Sequence, residues 1–293
     1  MSSDREKRLV IVLGPTAVGK TDYSIELALE AGSPVISCDS RQLYREMQIG
    51  TAPPSREQLE KVHHYFIASH SVTDPFSAGR YEVEALALVE ELFKTHDTLV
   101  MAGGSGLYID AFCNGLDNFP DIDPSVRASL LERLEKEGLA SLRFDLSRLD
   151  PATAETVDPA NWQRIVRALE VCIGTSRPFS SYKTGPRASR PFVIEKIGLE
   201  RDREELYRRI SDRTDEMMRQ GLEEEARRLA PLRHLTPLQT VGYREMFDYF
   251  DGKTTLEEAV RLIKRNTRRY ARKQMTWWRK DPDIKWMEAP ASL

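Results

Sequence analysis

Gly14-Pro15-Thr16-Ala17-Val18-Gly19-Lys20-Thr21 decides the fold of this 293-residue chain. The octet fits G-x-x-x-x-G-K-[ST], in which glycines bend a loop so that backbone N–H groups converge on one point. An anion there also meets the positive end of the following helix, and Lys20 adds a point charge. A chance match in a chain of this length is on the order of 1 in 100. The flanks agree with the motif. Arg8–Leu13 is an apolar run suited to a buried strand, and Lys20–Ala31 repeats apolar residues at helical spacing until Gly32. The bland alternative, a glycine turn with a surface lysine, leaves that strand and helix as coincidence.

Outward from the loop, residues 34–38 read as a second strand ending at Asp39, and residues 80–94 as a helix. Residues 98–102 read as a third strand running into Gly103-Gly104-Ser105-Gly106. Strands alternating with helices imply a parallel sheet covered on both faces. The texture changes near Leu116. Pro120 and Pro124 break the chain, residues 125–173 are helical in pattern, and a loop over 174–191 holds Pro178, Gly185, Pro186 and Pro191. A returning strand is expected at 192–199 and helix from 204 to 278. The expected fold class is therefore α/β: a P-loop NTPase-like parallel sheet flanked by helices, with a helical insertion domain. Residues 1–116 and 192–293 would form the core and 117–191 the insertion. No repeat of solenoid length is visible.

Charged residues make up 30% and hydrophobic residues 40%, an ordinary globular balance. The longest uncharged stretch, residues 98–109, is too short to span a bilayer. The charged start (Asp4, Arg5, Glu6, Lys7, Arg8) does not resemble a secretory signal. A cytoplasmic protein is expected. Cys38, Cys113 and Cys172 are odd in number and widely spaced, which suits free thiols. His63, His64, His70, His96 and His234 form no H-E-x-x-H pair and read as ordinary surface or core histidines. Net charge is only −3, yet residues 261–280 hold nine basic residues and no acid, so the rest carries −12. Tyr270, Trp277 and Trp278 are interleaved with these charges, which suits a nucleic-acid contact as well as a solvated helix. By contrast, residues 201–235 mix nine basic with nine acidic residues, as in Glu204/Arg208 and Glu205/Arg209, and read as a face of i,i+4 pairs. The Met217/Met218 pair reads as core.

The loop specifies phosphate rather than a triphosphate. Thr21 offers a hydroxyl to Mg²⁺. A nucleotide hydrolase commonly adds an Asp at the end of another core strand, but residues 98–102 end in glycines and serine. Asp39 is the one acid at a strand end near the loop. General base, metal ligand and cap all remain open for it on the residues alone. A small-molecule kinase and a non-catalytic RNA-binding module are the rival readings. The first predicts nucleotide turnover; the second leaves the loop and Asp39 without a purpose.

Six stretches beside the octet resemble bacterial tRNA dimethylallyltransferases: Asp39-Ser40-Arg41-Gln42-Leu43-Tyr44, His63-His64, Gly103 to Tyr108, Gln163 to Glu170, Val241 to Glu245, and Tyr270 to Trp277. They follow in order along nearly the whole chain. The resemblance implies transfer of a dimethylallyl group from dimethylallyl diphosphate to the N6 amine of the adenosine directly 3′ of the anticodon. The tRNAs would be those reading codons that begin with U. A prenyltransferase acting on free adenine nucleotide is a closer rival, against which the basic tail and the insertion argue. The resemblance makes Asp39 the general base, Arg213 a stabiliser of the leaving diphosphate, Gly14, Pro15, Thr16, Ala17, Val18, Gly19, Lys20 and Thr21 the diphosphate cradle, and Mg²⁺ at Thr21 the cofactor. It assigns tRNA contact to Asp39, Ser40, Arg41, Gln42, Ser105, Arg127, Gln163, Arg164, Ile165, Val166 and Arg167. It extends that contact to Gln239, Gly242, Tyr243, Arg244, Arg272, Lys273, Trp277 and Arg279. Ser105 stands where the family commonly has Thr, and Trp278 where Leu or Phe is usual. No zinc-finger extension is expected beyond Trp286, and a monomer is expected.

Overall fold

The computed structural model describes residues 6–74, 76–117, 119–183 and 189–290. Asp4, Arg5, Gly185 and Pro186 lie outside the described residues. β1 (Arg8–Leu13) is central, because Leu9, Ile11, Val12 and Leu13 are fully buried and both its faces must be covered. It pairs in parallel with β4 (Thr98–Gly103) on one side and β5 (Val193–Glu200) on the other. β2 (Val35–Ser37) joins β4 to β3 (His64–Tyr65), and β6 (Ile284–Glu288) extends the sheet from β5. The strand order is β3-β2-β4-β1-β5-β6. The expected parallel α/β sheet is present. Both edge strands, β3 and β6, go beyond the sequence expectation.

α1 (Lys20–Ala31), α2 (Arg56–Lys61), α3 (Ala78–Leu92) and α4 (Gly106–Asn114) follow the first strands. One face of the sheet packs Leu9, Ile11 and Leu13 with Tyr81, Phe112, Met246 and Ile263. The other packs Val12 and Val100 with Ile25, Leu206, Ile210 and Ala271. The described residues form two compact units, one spanning Met1–Asn114 with Ser189–Leu293 and the other Gly115–Ala188.

The second unit holds α5 (Pro124–Glu137), α6 (Leu139–Leu149), α7 (Pro151–Thr156) and α8 (Trp162–Thr175) around Leu130, Leu142, Leu146, Ile165 and Leu169. Asp150 ties it together. Its carboxylate accepts from the amides and hydroxyls of both Thr153 and Ser180. Burial works against its charge, but these donors hold the carboxyl below its ordinary range.

The first unit closes with α9 (Arg203–Arg219), α10 (Leu222–Leu229), α11 (Tyr243–Phe250) and α12 (Leu256–Trp278). The expected unbroken helix over 204–278 is corrected here. Pro231 and Pro237 confine residues 230–238 to short 3₁₀ turns, and Gly242 and Gly252 permit backbone turns at φ 100° and 70°. Among the described residues no helix is long and apolar enough to cross a membrane.

Candidate active site

The phosphate loop joins β1 to α1 at the middle of the sheet. Gly14 takes φ 149°, and a Cβ there would lie 2.6 Å from the Leu199 carbonyl oxygen, so the position requires glycine. Gly19 caps α1 at φ 115°. Lys20 Nζ donates to the Gly14 and Pro15 carbonyls at 2.8 Å. Burial pushes its ammonium down to about 8; Asp39 opposes that shift and Arg213 adds to it. Two arginines of α9 also face the loop. Arg213 Nη1 lies 3.5 Å from Thr16 Oγ1, and Arg209 Nε donates to the Ala17 carbonyl at 2.9 Å. Burial pulls both guanidiniums below their ordinary value, and each has another arginine beside it. This cluster of cations favours an anion in the loop.

The sequence expectation of a solvated Glu205/Arg209 pair is corrected: Glu205 pairs with Arg201, and Arg209 turns inward. Since α9 runs past the loop, part of its polar surface reaches the phosphate site, while the Arg208–Asp212 pair stays exposed.

These groups line a cavity of about 870 Å³. Asp39 follows β2 into its wall. Asp39 Oδ1 accepts from the Arg41 and Gln42 amides at 2.9 and 3.3 Å, so the carboxylate does cap a turn. Oδ2 lies on the Gly104 side, 3.8 Å from where a Cβ on that glycine would stand. Ser105 Oγ accepts from the Ser40 amide at 2.8 Å and donates to Ser40 Oγ at 3.0 Å, which fixes the turn against β4. Gln42 Nε2 donates to the Thr51 and Ala52 carbonyls and shapes the opposite wall. Ile49, Ile210, Met217, Val241 and Ile263 give the cavity an apolar side. Met217, expected only as core, is one of its lining residues. His64 lines it too, with Nδ1 2.8 Å from the Val62 carbonyl and Nε2 buried without a partner. Burial pushes this imidazole below its ordinary value.

Two residues outside the sequence-derived site organise these walls. Gln274, from α12, accepts from the Thr16 amide at 2.9 Å and donates to the Gly104 carbonyl at 2.8 Å, joining the loop to the end of β4. Glu225, from α10, is 2% exposed and accepts from the amides of Gln48, Ile49 and Gly50 and from the Tyr243 hydroxyl. One member of the run Glu223-Glu224-Glu225 carries no sequence signal for such a role, and Gln274, though within the resembling stretch Tyr270 to Trp277, carries none for joining the loop to β4.

The tRNA-contact expectations divide by burial. Ser40, Arg41, Gln42 and Ser105 line or abut the cavity. Gln239, Arg244, Arg272, Lys273 and Trp277 are exposed, and the Trp277 ring lies 2.7 Å from where a Cβ on Gly106 would stand. Arg279 pairs with Glu200 at 2.9 Å. Within the second unit, Gln163 and Arg164 are exposed, while Arg127 and Arg167 share Glu170 at 3.0 and 3.3 Å. Three expectations are corrected. Ile165, Val166 and Tyr243 are fully buried, so their side chains pack cores and offer no surface. Gly242 is likewise buried, as the turn before α11.

Among the described residues no cluster of three His, Cys, Asp or Glu forms a metal cage. Mg²⁺ needs only one or two protein oxygens when phosphates and water supply the rest. The Thr21 hydroxyl, on the cavity wall, fits that sparse set.

Fold and site together define a phosphate-loop α/β protein whose loop opens on a deep, half-apolar cavity. Comparison narrows the class. The sequence model of the IPP transferase family matches residues 42–281. A tRNA dimethylallyltransferase of Porphyromonas gingivalis is 53% identical over 98% of this chain and 96% of its own. The crystal structure of a tRNA isopentenylpyrophosphate transferase from Bacillus halodurans is 36% identical, with a TM-score of 0.70 over 97% of this chain and 90% of that one. A eukaryotic dimethylallyltransferase acting on tRNA shares the fold, with a TM-score of 0.79 at 23% identity over 98% of this chain and 75% of that one. The chain belongs to the IPP transferase family.

Proposed function

We propose that this protein transfers a dimethylallyl group from dimethylallyl diphosphate to the N6 amine of the adenosine 3′ of the anticodon, position 37, in tRNAs reading codons that begin with U. The observation that carries the reading is one cavity holding a cationic phosphate loop, a lone carboxylate and an apolar wall. The diphosphate would lie on the loop amides, with Lys20, Arg209 and Arg213 about it, and the prenyl chain would lie along Ile49, Met217 and Ile263. As adenine nitrogen bonds to the allylic carbon, the carbon–oxygen bond breaks and its electron pair leaves with the diphosphate. Preorganised cations stabilise that developing charge. Asp39 Oδ2 takes the amine proton, which matters because the nitrogen lone pair is delocalised into the ring. Mg²⁺, held through Thr21, would supply charge neutralisation to the diphosphate. The target base must leave its stack to reach Asp39. Ser40, Arg41, Gln42 and Ser105 would receive it, while Gln239, Arg244, Arg272, Lys273 and Trp277, and in the second unit Arg127, Gln163, Arg164 and Arg167, would hold the surrounding RNA. A monomer acting in the cytoplasm is the simplest form of this reading.

The test is direct. The protein is incubated with dimethylallyl diphosphate, Mg²⁺ and total tRNA, and the digested RNA is searched for N6-dimethylallyladenosine. Product at position 37 is expected. ATP turnover without prenylated RNA would replace this reading with a small-molecule kinase.

A further inference from the structure

Away from the catalytic cavity, α9 and α12 enclose a second hollow of about 280 Å³ lined by Arg203, Tyr207, Arg261, Arg265, Arg268 and Arg272. No acidic side chain lines it. Arg261 is occupied by Glu258, and the adjacent Lys264 by Asp215 at 2.6 Å. Arg203, Arg265, Arg268 and Arg272 have no carboxylate at ion-pair distance among the described residues. Four guanidiniums gathered without a directly paired carboxylate favour an anion among them. Two are also held in place: Arg203 lies 5.3 Å and Arg268 5.7 Å from the centre of the Tyr207 ring. Arginine so fixed offers its planar fork to phosphate oxygens at little entropic cost.

The shape of the cluster identifies its ligand class. Arg261, Arg265, Arg268 and Arg272 recur at i, i+4, i+7 and i+11, one stripe of α12 about 16 Å long. A stripe of that length meets several phosphates in succession, where a free diphosphate would meet one end. At ~100° per residue, Tyr270 and Trp277 stand more than about 100° around the helix from the stripe, so it is not part of the cavity wall. We infer that the α9–α12 hollow is a second anchoring site for the phosphodiester backbone of tRNA, distinct from the catalytic cavity, with Arg203 and Tyr207 of α9 as integral members. This rests on the tRNA reading above.

The test uses Arg203→Gln with Arg265→Gln, both at exposed positions, and measures binding of labelled tRNA by filter retention across a salt series. Removing two guanidinium–phosphate pairs should lower affinity several-fold at low salt and make the slope of log K against log salt shallower by about 1.5. The pair Arg203→Lys and Arg265→Lys should restore most of the slope, since charge returns without the fork. Arg208→Gln, on α9 but paired with Asp212, should leave the slope unchanged. Binding of dimethylallyl diphosphate by the double variant should stay within about twofold of wild type. An unchanged tRNA slope in a variant that melts normally overturns the inference. So does an effect confined to inorganic diphosphate, used as a competitor probe, because the hollow would then serve free anions. A slope change on substitution, in a protein whose wild type never prenylates tRNA, would remove the functional reading and leave this site standing.

Discussion

Asp39 serves two purposes, one with each oxygen: Oδ1 caps the turn at Arg41 and Gln42, leaving Oδ2 for the substrate. Substitution can separate them. Asn keeps an acceptor for the turn but cannot take a proton. Asp39→Asn should therefore lower single-turnover transfer by roughly 10²–10⁴-fold with little change in tRNA binding or melting temperature. Asp39→Ala should cost a further ~1 kcal/mol of stability as the cap disappears. Near wild-type transfer by a folded Asn variant would end the general-base role. Lys20 makes a second case. Its folded value, about 8, lies below the ordinary 10.5, so the unfolded chain binds the extra proton between those limits and stability rises with pH across that window. A bound diphosphate reverses the preference. Affinity for dimethylallyl diphosphate should hold steady below pH 8 and fall above it, with net proton uptake near pH 9 seen by calorimetry in two buffers. Flat affinity up to about pH 10 would refute a charged Lys20 contact.

Among the elements, the loop over 48–51 depends on α10 through Glu225. Replacing Glu225 with Ala strands three partly buried amides and the buried Tyr243 hydroxyl. A destabilisation of about 3–5 kcal/mol is expected, together with a raised KM for dimethylallyl diphosphate as Ile49 and its neighbours lose their support. A melt within a degree of wild type would contradict the assignment. The same contrast explains how far the sequence can be read. β1, the phosphate loop and α1 are legible because one short stretch carries strand, turn and helix signals together. Lys20 is legible because it closes the loop motif at the start of α1, and Asp39 because it follows a strand. β3 is not, being two residues long, and β6 carries Lys285 and Glu288 within a short, mixed pattern. Arg209, Glu225 and Gln274 escape for another reason: each acts on a partner more than a hundred residues away, and helical periodicity reports only which side of a helix is polar, not what that side meets.

At the scale of the molecule, charge is segregated rather than balanced. A net −3 chain concentrates nine cations in residues 261–280. An RNA approaching at random is repelled by most of the surface and drawn to α12, so encounter is oriented before any base is read. The two units, each with its own core, let the insertion unit vary its surface without disturbing the phosphate loop.

Gln274 ties this arrangement to the order in which the chain is made. The loop it fastens emerges first from the ribosome, but its clamp lies 258 residues later. At ~5–20 residues per second, the loop waits about 13–50 s for that clamp. β6, which completes the sheet beside β5, arrives later still. A nascent chain thus carries the whole phosphate-binding motif long before the α9 and α12 walls of its cavity exist.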